Sequence, residues 1–297
     1  CVDKETIYTC YVTDQNRTLI GMLSLKDLLV ADDDDIVENI METNVICVET
    51  HTDQEEVAQS LSKYNFMALP VVDKETRLVG IVTFDDAIDV IEEETTEDIE
   101  IMSAIVPSDK PYLRQSVFDI YKSRIPWLLF LMLSAAFTGM IISHFEGALS
   151  AYTILVASIP MITGTGGNCG SQSSVMVIRG LSLGEIELSD ALRVLWKEFR
   201  VSVLCGLALA VASFAKVLLI DGALFGNADI TIPVAAVVGL TLAFVAVVAK
   251  LVGGLLPMGA KKLGFDPAVM ASPFITTIVD ALSLLLYFTI ASLLLGL

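Results

Sequence analysis

The stretch Pro126-Trp-Leu-Leu-Phe-Leu-Met-Leu-Ser-Ala-Ala-Phe-Thr-Gly-Met-Ile-Ile-Ser143 runs for 18 residues without a charge. A hydrocarbon layer about 30 Å thick needs about 20 apolar helical residues to cross it, so this run reads as a membrane span. Toward the C-terminus four more apolar runs follow, at 151–178, 201–220, 231–256 and 273–296. The expected architecture of residues 126–297 is therefore an all-α transmembrane bundle of five helices per subunit.

Toward the N-terminus the composition changes abruptly. Cys1–Ile125 carries 27 acids against 10 bases, whereas Pro126–Leu297 carries 9 against 8. A balance of −17 in one half repels phosphates and anionic lipid headgroups, which excludes nucleic acid and leaves cations or basic proteins as partners. The five cysteines have neither paired nor CxxC spacing, against a disulfide framework or a zinc site. His51 and His144 are far apart in the chain and no nucleophile–base constellation is visible, so the sequence does not read as an enzyme. Basic residues precede span one (Lys122, Arg124), lie at the connection of spans two and three (Arg179, Arg193, Lys197, Arg200) and follow span four (Lys261, Lys262). That alternation places the acidic domain in the cytosol and the C-terminus outside, in a multi-pass protein of the cell membrane.

The acidic half repeats itself. Val12–Leu28 (VTDQNRTLIGMLSLKDL) aligns with Val71–Ala87 (VVDKETRLVGIVTFDDA), setting Asp14 over Asp73, Gly21 over Gly80 and Asp27 over Asp86 at a period of 59 residues. Each copy reads as strand, polar turn, strand and short helix, with the Gly allowing close strand packing. Asp53–Tyr64 has helical apolar spacing at Val57, Leu61 and Tyr64. The expected organisation is an α+β pair over 1–98 with its first copy incomplete, a connector helix over 99–125 ending in amphipathic Gln115–Arg124, and the bundle from 126. Opening on Cys1 within a repeat, the chain is expected to be N-terminally truncated.

Three features carry chemistry. Span two contains Ile159-Pro-Met-Ile-Thr-Gly-Thr-Gly-Gly-Asn-Cys-Gly-Ser-Gln-Ser-Ser174, so its helix is either interrupted along a cavity or packed unusually closely. Asp280 reads as the only acid well inside a span, and it either faces a polar path or bonds a neighbouring helix. Lys216 and Lys250 read as lying nearer span ends. Finally, Asp32–Asp35 and the crowd from Asp85 to Asp98 supply hard oxygen ligands suited to Mg²⁺, with a solvated helix face as the alternative.

Both repeats show Gly-h-h-Ser/Thr-x-x-Asp (Gly21–Ser24–Asp27, Gly80–Thr83–Asp86) and resemble a cystathionine-β-synthase (CBS) domain pair. That resemblance permits an adenine nucleotide such as ATP on Ser24, Asp27, Thr83 and Asp86, while the residues alone favour Ser24 and Thr83 as simple helix caps with Asp27 and Asp86 solvated.

Thr163–Ile186 and Leu263–Asp280 closely resemble the MgtE family of magnesium transporters and channels, and the likeness extends over essentially the whole chain. It implies a homodimer in membrane lipid, with Asp280, Thr276, Gly164, Gly167 and Asn168 along the path of a divalent cation. It also implies regulatory Mg²⁺ bound by Asp53, Asp86, Asp89, Glu94, Glu97, Asp98 and Asp266, closing the path when cytosolic Mg²⁺ is high. Ser272 stands where the family often has Asn, and the family's acidic N-terminal helical domain is not in this sequence. A Na⁺- or H⁺-coupled divalent-cation carrier and a membrane-tethered CBS sensor are the rival expectations.

Overall fold

The computed structural model describes residues 6–108, 110–145, 153–227 and 230–296. Cys1, the start of the second expected span at 151–152 and parts of the two loops expected to lack basic residues (146–150, 228–229) fall outside the described residues. The chain forms two compact units, residues 1–97 and 98–297.

In the first unit, β1 (Thr9–Thr13) pairs antiparallel with β2 (Leu19–Ser24), followed by α1 (Leu25–Val30) and α2 (Val37–Ile40). A second sheet joins β3 (Val48–Glu49) parallel to β4 (Ala68–Val72), which pairs antiparallel with β5 (Leu78–Thr83). Helix α3 (Gln54–Tyr64) lies between β3 and β4 in the chain, and α4 (Phe84–Met102) follows β5. Its core sets Val57, Ala58 and Leu61 of α3 against Leu69 and Ala87, as the spacing of α3 requires. Tyr64 departs from that expectation: it is 46% exposed and stacks on Phe66.

The repeat is legible atom by atom. Asp14 Oδ1 accepts the amides of Asn16 (2.8 Å) and Thr18 (2.7 Å), and Asp73 Oδ1 those of Glu75 (3.1 Å) and Arg77 (2.8 Å). Each aspartate thereby folds a turn whose third following residue is left-handed, Arg17 at φ 66° and Thr76 at φ 58°. The two turns bond each other, Leu19 N donating to Thr76 O (3.0 Å) and Leu78 N to Arg17 O (2.8 Å). The glycines are not equivalent. A Cβ at Gly21 would meet Met41 Sδ at 2.6 Å, whereas one at Gly80 would meet nothing, so close packing explains only the first.

The expected connector is not one helix. Helix α4 ends at Met102, Ala104 takes a left-handed φ of 56°, a short 3-10 turn covers Tyr112–Arg114, and a new helix starts at Val117. Ser116 caps that start, with Asp119 reciprocating. Gln115–Arg124 is thus a linker residue, a cap and the opening turns of the first bundle helix.

Among the described residues the second unit contains five long helices: α5 (Val117–His144), α6 (Thr153–Ser182), α7 (Ala191–Lys216), α8 (Ile232–Lys262) and α9 (Ser272–Leu295). Helix α7 continues as a π-helical stretch, Val217–Leu224, across which Lys216 Nζ pairs with Asp221 Oδ2 at 2.6 Å. Among the described residues, four segments are long and apolar enough to cross a membrane: Val117–His144, Leu188–Leu224, Ile232–Lys262 and Pro267–Leu295. Helix α6 has the length, at 30 residues, but its Gly, Ser, Asn and Gln residues dilute its apolarity. Its core face, with Leu155 and Ile162, packs on Val238, Leu284, Tyr287 and Phe288.

Candidate ion path

Helix α6 is continuous through Pro160, so the expected interruption does not occur. The glycines serve close packing instead, since without side chains they let backbones meet at membrane depth. A Cβ at Gly166 would meet Ser283 Oγ and Val245 at 2.7 Å, and one at Gly170 would meet Ile275 at 2.8 Å and the Ala249 carbonyl at 3.2 Å. One at Gly253 would overlap the Gly170 carbonyl oxygen. Gly164 differs, for a Cβ there would meet nothing within 4 Å. Asn168 and Gln172 follow it at helical spacing and are also exposed, forming a polar and small-residue stripe on an otherwise apolar bundle.

Asp280 sits eight residues into α9, about 12 Å from its start at the standard helical rise. It is half-buried and, among the described residues, makes no hydrogen bond or ion pair. The alternative that it bonds a neighbouring helix is therefore not realised. Its neighbour across the helix contact is Gly167: a Cβ at that position would stand 3.7 Å from Asp280 Oδ1 and 2.8 Å from Thr276 Cγ2. Thr276 and Thr277 donate their hydroxyls back to Pro273 O at 2.9 and 3.0 Å, a carbonyl in the first turn of their own helix. Asp280, Thr276 and Gly167 thus lie together, and Gly164 and Asn168 occupy the exposed face of the same α6 segment.

Two charged residues were misplaced by the sequence reading. Lys250 lies twelve residues inside α8 from Lys262, only 4% exposed, rather than near a span end. Helix α7 begins at Ala191, ten residues before the expected span, so Glu198, outside every expected span, lies on a bundle helix and accepts a hydrogen bond from Ser173 Oγ of α6. For Lys250 a sign was present in the sequence, since the apolar run Val247-Val248-Ala249 continues past it as Leu251-Val252.

The acids expected to bind regulatory ions divide between the units, Asp53, Asp86, Asp89, Glu94 and Glu97 in the first and Asp98 and Asp266 in the second. Asp86, Asp89 and Glu97 follow helical spacing along exposed α4, while Asp98 accepts from Ser182 Oγ at 3.2 Å. Asp53 caps α3 through the Glu55 amide (2.9 Å), and next to it Gln54 bonds Glu94 of α4 at 2.8 Å. Asp266 caps the 3-10 turn Pro267–Met270. Among the described residues no three acidic, His or Cys side chains converge to hold a metal within one chain.

The Ser/Thr-x-x-Asp motifs act as caps. Ser24 N (2.9 Å) and Oγ (2.5 Å) donate to Asp27 Oδ2, and Thr83 Oγ1 donates to Asp86 Oδ2 at 2.8 Å. The Ser24 hydroxyl, followed by its amide, holds the Asp27 carboxyl below the usual carboxylate range. Ser24 and Asp27 also border a cavity of about 260 Å³ with Tyr11, Glu42, Phe66 and Pro70.

These features define a multi-helix membrane protein joined to an α+β CBS-type unit. Residues 159–290 match the MgtE family, described as a divalent cation transporter, and residues 37–93 match the CBS domain family. The magnesium transporter MgtE of Thermus thermophilus is 42% identical over 293 residues, 99% of this chain and 63% of that protein. Its Enterococcus faecalis counterpart is 39% identical over 288 residues, 97% of this chain and 61% of that protein. The chain spans about three-fifths of the length of these relatives. A solved cytosolic domain of the Mg²⁺ channel MgtE in complex with ATP is 57% identical, covering 30% of this chain and 36% of that one at a TM-score of 0.29.

Proposed function

We propose that this chain carries Mg²⁺ across the cell membrane into the cytosol, and that Mg²⁺ bound to its acidic CBS unit and connector closes the path. The observation that carries this reading is Asp280, a carboxylate at depth in an apolar bundle that makes no hydrogen bond or ion pair among the described residues. An intramembrane acid costs about 2.5–3.5 kcal/mol on insertion scales unless it faces a polar path, so its unpaired state argues for a cation as its partner.

The exposed stripe of Gly164, Asn168 and Gln172 supports a homodimer. Two copies meeting along it would bring two Asp280 carboxylates to one axis, balancing a divalent charge and disfavouring a monovalent ion. Mg²⁺ keeps much of its water, so it needs one or two carboxylates rather than a closed cage. The same argument fits regulation. Acids spread along α4 without converging suit hydrated Mg²⁺ bridging surfaces, whose binding would screen their mutual repulsion and favour closure. In this reading residues 1–98 are the CBS pair, 99–125 the connector and 126–297 the membrane domain, with the CBS unit cytosolic and the C-terminus outside. The cavity beside Ser24 and Asp27 supports ATP at the first copy, where the carboxylate would face the ribose.

Mg²⁺ flux into proteoliposomes, with Mg²⁺ varied on the CBS side, tests the reading. Flux should fall as that Mg²⁺ rises and should be lost in Asp280→Asn; unchanged flux in Asp280→Asn would overturn it.

A further inference from the structure

Helix α7 is longer than the layer it crosses. From the 3-10 turn Leu188–Asp190 to the end of the π-helical stretch at Leu224 the segment has 37 residues. That is about 50 Å, against a hydrocarbon thickness of about 30 Å. Residues 201–224 alone cover the hydrocarbon, and 201–215 carry no charge. Arg193, Lys197 and Arg200 therefore fall at the level of the lipid headgroups.

One side of α7 is taken by protein. Ser202, Gly206 and Ser213 are buried, and a Cβ at Gly206 would stand 2.8 Å from the Ala243 carbonyl oxygen of α8. Glu198 shares that side and accepts its hydrogen bond from Ser173 of α6. The opposite side is open. At the helical spacing of 100° per residue Arg193, Trp196, Lys197 and Arg200 share it, all exposed, Trp196 by 58%. The same stripe continues into the hydrocarbon as Leu204, Leu207 and Val211, exposed by 70%, 59% and 71%.

The headgroup end of the stripe is ordered. Arg200 lies over the Trp196 ring, 5.8 Å from its centroid, and its Nε donates to Trp196 O at 3.4 Å, so its stem lies along the helix while its charge turns back toward water. Phe199 stacks on Trp196 at 5.6 Å. Arg193 is answered by Asp190 at 2.9 Å. Among the described residues Lys197 makes no hydrogen bond or ion pair and Arg200 meets no acid, so two cations stand uncompensated on this side. A matching occupant places an anion beside them and hydrocarbon on Leu204, Leu207 and Val211, about 6–16 Å further along the axis. A soluble phosphate supplies only the anion, a neutral lipid only the hydrocarbon, and an anionic phospholipid both.

We propose that this face of α7 is a site for an anionic phospholipid, its phosphate held by Lys197 and Arg200, its interfacial region beside Trp196 and an acyl chain along Leu204–Val211. The site depends neither on Asp280 nor on the ion carried.

Trp127 and Trp196 are the two tryptophans of the chain, so Trp127→Phe leaves Trp196 as the sole reporter. In vesicles mixing phosphatidylcholine with phosphatidylglycerol, bromine on the acyl chains of one lipid or the other quenches a tryptophan that touches it. One basic side chain at a membrane surface favours anionic lipid roughly fivefold, so two, partly screened by salt, should give Trp196 a preference for phosphatidylglycerol of roughly tenfold. Lys197→Gln or Arg200→Gln should each cut that preference by about half or more, and both together should bring it to about onefold, in protein that still elutes as a folded species on size exclusion. A preference under about twofold in Trp127→Phe, or one that survives the double substitution, overturns the proposal. Absence of quenching by either brominated lipid means that protein, such as a second copy of the chain, covers the face, and overturns it as well. Loss of the preference on adding millimolar inorganic phosphate assigns the cations to a soluble anion and likewise overturns it. If Trp127→Phe does not fold, the difference in quenching between the unsubstituted protein and Trp196→Phe gives the same reading.

Discussion

Substituting glycine by alanine at three helix positions should give three different results, and Gly253 is the most severe. A Cβ there overlaps the Gly170 carbonyl oxygen and stands 3.0 Å from its carbon and 3.2 Å from its Cα. All three atoms are backbone, so no side-chain rotation relieves the clash and α6 and α8 must part by about 1 Å to restore contact distance. Overpacking of this kind costs about 1–3 kcal/mol, here toward the upper end, and alanine's better helix propensity returns up to about 1 kcal/mol. The net loss of about 1–2 kcal/mol corresponds to a fall in thermal midpoint of about 3–8 °C for a chain of this size. At Gly259, where a Cβ meets nothing, the same change should leave the midpoint unchanged or raise it. At Gly164, also open, stability should hold while Mg²⁺ flux falls, because the added methyl group projects into the proposed path. Midpoints read by fluorescence-detected size exclusion at one heating protocol make the comparison. A Gly253→Ala midpoint equal to that of Gly259→Ala would refute the reasoning.

Ala104 holds a left-handed φ of 56° where α4 ends, a conformation that costs a residue with a Cβ about 1–2 kcal/mol, so Ala104→Gly should raise the thermal midpoint and Ala104→Val lower it. Acid should destabilise the first unit. The Thr18 amide lowers the Asp14 carboxyl, the Ser24 hydroxyl lowers Asp27 and the Arg77 amide lowers Asp73, each below 3.8. Stability from a depressed carboxyl is present above its unfolded value and lost as pH falls through the folded one, so circular dichroism should show β-structure lost below about pH 4. Asp73→Asn, which keeps the turn's acceptor without titrating, should flatten part of that dependence.

The membrane bundle was legible because spans are bounded by apolarity, but helix ends are not. Helix α7 starts at Ala191 among Arg193, Lys197 and Glu198, charges that a hydropathy reading excludes and a helix carries into its buried length. The α6 sequence allowed both a broken and a closely packed helix, since Gly and Pro serve either. Only the neighbours decided it: Gly170 and Gly253 face each other, a fact of tertiary contact that no local pattern contains. Asp280 stood out by its rarity, yet its lack of a partner among the described residues depends on α6 presenting Gly167, not a donor, at the point of contact.

The paired turns of the first unit hold their instructions in an unexpected place. Left-handed positions are commonly secured by glycine, yet Arg17 and Thr76 occupy them here. In both copies the aspartate three residues earlier accepts two amides and dictates the bend. The two copies therefore carry one instruction in different wording: the residues at 17 and 76 differ, while exchange of Asp14 or Asp73 for a residue without a short acceptor should erase the turn in that copy.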